Sequence, residues 1–313
     1  MPTTRLAAAL FFGLLVSACA TRAPGPAAFS FAVLGDTPYN DAEERQFLAM
    51  IGRINREPLA FVVHVGDFKG GGDCSDALYA RRKAQFDTFA HPLVYTPGDN
   101  EWTDCRRRNM GSMDPVERLA RLRQVFFADR FSHGQRRLPL EAQDQCLAPE
   151  VAGCGCAAHP ENRSWEHAGL RFVTLNVPGS DNNVGFDAAN DAEARCRNAA
   201  NAQWLERAII AAQAPDVRAL VIAIQANPWD TPNPVVYHGL LAQVEASAAR
   251  VGKPVLFIHG DSHTYRVDTP FTAPITRLET YGSPFVGWVK VTVDPSSPQP
   301  FRFEPKLQRF VLP

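Results

Sequence analysis

The chain has almost no net charge: 32 Lys and Arg against 33 Asp and Glu leave a formal -1 over 313 residues. Nucleic acids and anionic membrane surfaces are held by a surplus of Lys and Arg, so this balance argues against both as partners. It also lacks a membrane span in its early apolar stretch, Leu6 to Val16, which falls short of the ~20 residues a transmembrane helix needs. Internal repeats and low-complexity tracts are missing too, which excludes repeat arrays and compositionally driven disorder. What remains is ordinary globular material, 45% hydrophobic and 21% charged. With 25 Pro and 21 Gly, it is too turn-rich for a helical bundle and suits a loop-rich α/β or β-rich fold.

The short apolar stretch has a better use. One early positive charge at Arg5 precedes it, as in a secretory signal, and it ends in Val16-Ser17-Ala18-Cys19. That ending resembles the bacterial lipobox, in which the Cys is acylated and becomes the mature N-terminus; the alternative is a plain signal peptide cut nearby. Residues 1–18 are therefore expected to be a lipoprotein signal peptide, and 19–28, rich in Pro, Gly and Ala, a tether. Residues 29–313 form the folded domain. The resemblance implies a bacterial cell-envelope location on the periplasmic side, with the membrane touched only through the lipid on Cys19. Ala20 suits onward sorting to the outer membrane. Six cysteines are left, Cys74, Cys105, Cys146, Cys154, Cys156 and Cys196, and an even number in an exported chain argues for disulfides. A zinc site at Cys146, Cys154 and Cys156 is the competing reading, but the spacing is unlike paired zinc ligands and the compartment is oxidising.

Phe29 to Leu34 and Phe61 to Val65 are short apolar runs, each stopped by Gly-Asp, at Gly35-Asp36 and Gly66-Asp67. Between them Phe47, Leu48, Ile51 and Ile54 recur at helical spacing behind Glu43 and Glu44, which completes a βαβ unit. A helix near 75–90 leads to the strand Leu93 to Thr96 and a third turn, Gly98-Asp99-Asn100-Glu101. Another helix follows at 115–128. Residues 130–162 read as an irregular insertion, and 165–177 as a hairpin turning at Ala168-Gly169. Helices near 187–213 and 235–251 alternate with strands at 217–224 and 255–258, the latter ending in His259-Gly260-Asp261-Ser262-His263. Three late strands near 275–281, 288–293 and 301–304 close the chain.

Four buried strands thus end in acid-bearing turns, at Asp36, Asp67, Asp99 and Asp261. In an open α/β sheet the carboxyl ends of parallel strands share one edge, so these acids can converge. Any one Asp could simply cap a helix or a turn. Four together repel unless cations neutralise them, and oxygen-rich clusters select hard divalent ions. Cys74 and Cys105 stand seven residues beyond Asp67 and six beyond Asp99, in loops after neighbouring strands, and are expected to pair. The other four cysteines leave three pairings open.

In order and spacing these motifs resemble the calcineurin-like metallophosphoesterase superfamily from Phe29 to about Val293, through Gly35-Asp36, Gly66-Asp67, Gly98-Asp99-Asn100-Glu101, Gln203-Trp204-Leu205 and Gly260-Asp261-Ser262-His263. The resemblance implies a metallophosphoesterase-like two-sheet β-sandwich with flanking helices, an α/β fold. It also implies one or two divalent metal ions and hydrolysis of a small phosphoester substrate. Departures are informative. The family's Asp-x-His is Asp36-Thr37-Pro38 here, so one metal-binding His is missing, and Gly70 stands where Asp or Asn closes the second motif. Asn100 occupies the place of the catalytic His. Ala226-Asn227-Pro228 replaces His-x-Pro, leaving Gln225 or Asn227 as the nearest oxygen donor, and Asp261 replaces the first His of Gly-His-x-His. Carried across, Asp36, Asp67 and His263 would hold one cation, and Asp67, Asp99, Asp261 and Asn227 a second, with Asp67 bridging. So oxygen-rich a set favours Mg, Mn or Ca over Fe or Zn. Asn100 and His263 are the residues placed nearest the chemistry.

Other polar and aromatic residues have plainer readings. His64 lies inside a buried strand and reads as a core histidine, His259 as packing or support for Asp261, and Tyr39, three residues after Asp36, as part of a Pro-Tyr turn that could reach the metal edge. Arg106, Arg107 and Arg108 could bind an anion or form a solvated basic loop; Trp102, Trp229 and Asn182-Asn183 could line a pocket. The leading function is a metal-dependent phosphoesterase of the cell envelope. Its rival is a lipoprotein that kept the fold and lost the chemistry, acting as a binding or scaffold protein. The export reading has a direct test: Cys19→Ala should move the protein from the membrane fraction to the soluble one or stall its processing. Unchanged fractionation and mature mass would remove the lipid anchor.

Overall fold

Alternating burial along the strands sets the architecture. In a computed structural model the described residues are 27–145, 153–154 and 157–307. The signal segment, Cys19, Cys146 and Cys156 lie outside them. In β1 (Phe29–Leu34) Phe31 and Val33 face one way and Ala32 and Leu34 the other, and all four are buried. A strand apolar on both faces has to be covered on both. The same holds in β2 (Val62–His64), β7 (Ala219–Ala223) and β8 (Val255–His259), which are buried throughout.

The result is two facing sheets with helices outside each. One sheet runs β12-β11-β1-β2-β3, with β3 at Leu93–Tyr95, β11 at Gly287–Val293 and β12 at Phe301–Leu307. The other runs β4-β5-β6-β7-β8-β10-β9, from β4 (Glu141–Gln143), β5 (His159–His167) and β6 (Leu170–Thr174) to β10 (Ile275–Glu279) and β9 (Arg266–Asp268). β1, β2 and β3 are parallel, as are β6, β7, β8 and β10, while β11, β12, β4, β5 and β9 pair antiparallel. Phe31, Phe61, Val63, Trp165, Phe172, Val221 and Leu256 fill the space between the sheets. The helices Asp41–Ile54, Asp76–Phe86 and Pro115–Phe126 cover the first sheet, and Ala188–Ala212 and His238–Val251 the second. This is the two-sheet α/β sandwich with flanking helices expected from the sequence.

Helix starts are fixed by side-chain caps. Asn40 accepts from the N–H groups of Ala42 and Glu43, Ser75 from Leu78, Asp114 from Val116 and Glu117 with Pro115 at the first helical position, and Asp187 from Ala189 and Asn190. Among the described residues no helix is long and apolar enough to cross a membrane. The insertion expected to be irregular is a correction, because β4 and the first four residues of β5 fall inside it. Their apolar signal is missing because β5 buries polar side chains. Glu161 takes the Arg123 guanidinium through both oxygens (2.6 and 2.8 Å), and Asn162 bonds Gln143 and Asn201 (both 2.7 Å). β9, short and exposed at a sheet edge, carries no period to read.

The ring cluster between the sheets gives a stability test. Phe172 is buried, with ring centroids 4.9 Å from Trp165, 5.1 Å from Phe61 and 5.6 Å from Phe31. Phe172→Ala should cost about 3–5 kcal/mol, read as a lower urea midpoint with an unchanged slope.

Candidate metal centre

The shared strand-end edge gathers the acids as the sequence predicts. Asp67, Asp99 and Asp261 each place one carboxylate oxygen so that all three lie within 4.8 Å of one another. Asp36 stands beside them. Its Oδ1 accepts the Asp261 N–H (3.0 Å), and its Oδ2, fully buried, has no hydrogen-bond partner. An orphaned buried carboxylate oxygen next to three converging ones is what a cation site needs, so the donors present fit a hard divalent ion.

The backbone is bent to achieve this. Asp36, Asp67, Asp261 and His263 all adopt left-handed conformations, with φ of 52°, 55°, 79° and 61°. Residues with a Cβ avoid that region, and it recurs at functional sites where the surroundings enforce it. One enforcing group is Glu101, fully buried, whose Oε1 accepts from the N–H of Asp67 (2.9 Å), the N–H of Gly98 (3.0 Å) and the hydroxyl of Tyr95 (2.7 Å). It ties the Asp67 and Asp99 loops together. Gly98 is needed there, since a Cβ would sit 2.1 Å from Asp67 Oδ1.

At the Asp36 loop stands Tyr39. Its hydroxyl donates to Asp67 Oδ2 (3.1 Å), receives the Asn100 side-chain N–H (3.0 Å), and lies 3.1 Å from His263 Nε2. The glycine at position 70 makes room for it, because a Cβ there would come within 2.8 Å of the Tyr39 ring. His263 Nδ1 donates to the Ser283 carbonyl (2.6 Å), which leaves Nε2 as the lone-pair nitrogen, 3.8 Å from Asp36 Oδ1. Asn100 is where the sequence put it, its N–H on Asp67 Oδ1 and its amide on Asp67 Oδ2 (both 3.1 Å).

Asn227 is a correction. Its side-chain oxygen accepts the Trp229 N–H (3.1 Å) and its amide donates to Ser262 Oγ (2.7 Å), so only its backbone N–H reaches Asp261 (2.9 Å). Trp229 two residues on supplies the competing donor. Gln225 takes the central place instead, at the end of β7, with Nε2 3.2 Å from Asp67 Oδ2, 3.1 Å from Asp99 Oδ1 and 3.2 Å from Asp261 Oδ1.

Gln225 is an alternative donor in the sequence and Tyr39 a turn residue able to reach the metal edge, while Glu101 reads only as part of its motif. Ser180 had no signal at all. It opens four successive left-handed residues, Ser180 to Asn183 (φ 47°, 54°, 55° and 64°), and its hydroxyl bonds Asp99 Oδ2 (2.6 Å) and Asp104 Oδ1 (2.8 Å). Arg197, fully buried, holds that turn through Asn182 Oδ1 (2.6 Å) and the Asn182 carbonyl (3.0 Å).

Cys74 and Cys105 are bonded to each other as expected, closing a 31-residue separation across the two acid loops and worth on the order of 3 kcal/mol. Cys154 is bonded to Cys196, next to Arg197, which removes Cys154 from any zinc set. His64 is a core histidine against Phe47, Phe86 and Tyr95, held neutral by burial at a pKa of about 3. His259 likewise packs on Trp229 and Phe257, with burial lowering it to about 3. Trp102 is fully buried beneath Arg197. Arg107 is spent on Asp104 (2.8 Å) and Ser180 (3.1 Å), and Arg106 stacks over Phe186.

No family model matches the chain, and no curated protein matches it either. Solved structures that it resembles include a dimetal phosphatase from Danio rerio (12% identity over 89% of this chain and 98% of that one, TM-score 0.46). A phosphatase from Mycoplasma pneumoniae resembles it at 11% identity over 90% and 94% (TM-score 0.44). A phosphopantetheinyl hydrolase from Mycobacterium tuberculosis does so at 12% over 83% and 91% (TM-score 0.43).

Burial, and then mutual repulsion, pushes Asp36 and Asp67 well above the ordinary carboxylate range and Asp261 up to about 8. Raised folded-state values mean that the native protein holds protons the unfolded chain has released. Stability without metal should therefore fall as pH climbs from the ordinary carboxylate range towards 8. In chelator, the melting temperature is expected to drop between about pH 5 and about pH 8, and a divalent cation should restore it at the upper end. A flat, cation-indifferent profile would contradict the cluster.

Proposed function

We propose that this protein is a metal-dependent phosphoesterase of the cell envelope, acting on a small phosphoester. The observation that carries the reading is the meeting of three carboxylate oxygens within 4.8 Å beside the unpartnered Oδ2 of Asp36. Asp36, Asp67 and His263 would hold one cation and Asp67, Asp99 and Asp261 another, with Asp67 common to both. The second set is all oxygen, which favours Mg, Mn or Ca. Bound, such ions polarise a phosphoryl oxygen and stabilise charge on the departing one.

The chain's own groups set the rest. Asn100 Nδ2 and Tyr39 Oη stand side by side, both donating to Asp67 Oδ2, and would turn a proton from Asp67 to a non-bridging phosphoryl oxygen to hold a substrate. Asn100 has no proton to release to a leaving group. Burial and the nearby Asp67 push the Tyr39 hydroxyl well above its ordinary range, so it stays protonated and holds rather than transfers. Substrates with good leaving groups are then preferred. The two disulfides among the described residues support a location outside the cytoplasm, with the lipid on Cys19 as the proposed tie to the membrane.

One observation favours the rival reading of a binding or scaffold protein. Asp67 Oδ2 already has three protein donors at 3.1–3.2 Å, from Tyr39, Asn100 and Gln225. Metal analysis of the purified protein beside a phosphoester panel separates the two. Asp67→Asn should abolish both bound metal and hydrolysis. A wild-type protein that carries metal but cleaves no phosphoester leaves only the binding role.

A further inference from the structure

Gln225 is fully buried with both ends of its amide committed. Oε1 accepts the Gly179 N–H at 2.6 Å, and Nε2 faces Asp67, Asp99 and Asp261 at 3.1–3.2 Å. Two protons thus serve three carboxylate oxygens. The amide cannot be turned over in place: Nε2 would then meet the Gly179 N–H, donor against donor, and Oε1 would meet three acids. Gly179 cannot withdraw easily either. Tyr237 holds the preceding Pro178 carbonyl (2.9 Å), and Arg197 holds the left-handed turn that follows. The approach is so close that a Cβ on Gly179 would lie 2.8 Å from Asp261 Oδ1 and 3.1 Å from the Asp99 carboxyl carbon.

We infer that Gln225 is a placeholder and not a metal ligand: its amide protons stand over the three carboxylates in place of a cation and must withdraw when one binds. The inference rests on the reading of these acids as a cation site. A hard divalent ion sits about 2.0–2.6 Å from a carboxylate oxygen. An ion using the same three oxygens therefore competes with the amide nitrogen for the same space. Two positive charges compensate the acids for the lost hydrogen bonds better than one does, so the arrangement discriminates against monovalent ions. It also sets the divalent affinity below what three carboxylates alone would give.

Equilibrium dialysis of the full-length protein against Mn and, separately, Ca tests this with Gln225→Met and Gln225→Leu. Both fill the space, donate no proton and offer a hard ion no ligand of its preference. Either variant that folds decides, folding being followed by circular dichroism. The expected result is binding tighter than wild type by on the order of tenfold, since the amide's two protons no longer oppose the ion at the charged oxygens. A wild type that binds little metal beside a variant that fills would support the inference equally. Weaker binding in the variants would overturn it and make Gln225 a ligand through Oε1, and equal binding would overturn it while leaving the cation site standing. Metal bound by none of the three proteins would remove the cation site itself.

Discussion

Mutual repulsion among buried acids is the constraint on which the rest of this structure depends. Asp36, Asp67, Asp99 and Asp261 stand at the ends of four strands in two sheets; the first three are buried and Asp261 is partly buried. Burying unpaired charge is costly, and bringing like charges together adds to that cost. The chain meets it with dipoles rather than with ion pairs. Backbone N–H groups of Asp261, Asn100 and Asn227 point at Asp36, Asp67 and Asp261, and the Gln225 amide points at three of the acids. Lys69, the nearby buried cation, donates to the carbonyls of Gly70 (2.7 Å) and Asn100 (2.9 Å), so its charge acts through space while its hydrogen bonds hold the loop.

Dipoles work only if they are held in place, and that explains features far from the acids. The left-handed turn at 180–183 costs about 1–2 kcal/mol per residue against ordinary backbone. Arg197 repays part of it from the helix Ala188–Ala212, with Glu193 neutralising its guanidinium (2.8 Å). The Cys154–Cys196 bond fixes that helix one residue before Arg197, and Cys74–Cys105 fixes the loops on the other side. Glu43 does similar work at the His263 edge, accepting from the N–H of Tyr39 (2.8 Å) and from Ser283 Oγ (2.7 Å), whose own carbonyl orients His263.

Much of the fold was legible because these strands are short apolar runs stopped by Gly-Asp. Period and punctuation coincide there, and the acids mark the strand ends directly. Where burial is achieved by polar pairing the signal vanishes: β5 reads His-Pro-Glu-Asn-Arg-Ser and is buried only because Arg123, Gln143 and Asn201 come to it from elsewhere. In the site, residues fixed by strand position were found and residues fixed by partners were not. Ser180 depends on Arg197, seventeen positions on, and Asn227 is drawn away by the N–H of Trp229. Neither relation leaves a trace in spacing.

Hydrogen-bond donors are distributed unequally on the two sides of Asp67. At the Asp36 edge a nitrogen remains at His263, its tautomer set by the Ser283 carbonyl, and a carboxylate oxygen is left with no donor. Tyr39 joins that edge through the space that Gly70 leaves, since a Cβ there would come within 2.8 Å of its ring, so the glycine and the tyrosine belong together. At the Asp99 and Asp261 edge the opposite holds. Each carboxylate there meets a donor, from Ser180 to Asp99, from Asn227 to Asp261 and from Gln225 to both. One edge is therefore short of protons and the other supplied with them. A centre built this way treats its two halves unequally before any ligand arrives, because an incoming charge finds open valence at Asp36 and must displace hydrogen bonds at Asp99 and Asp261.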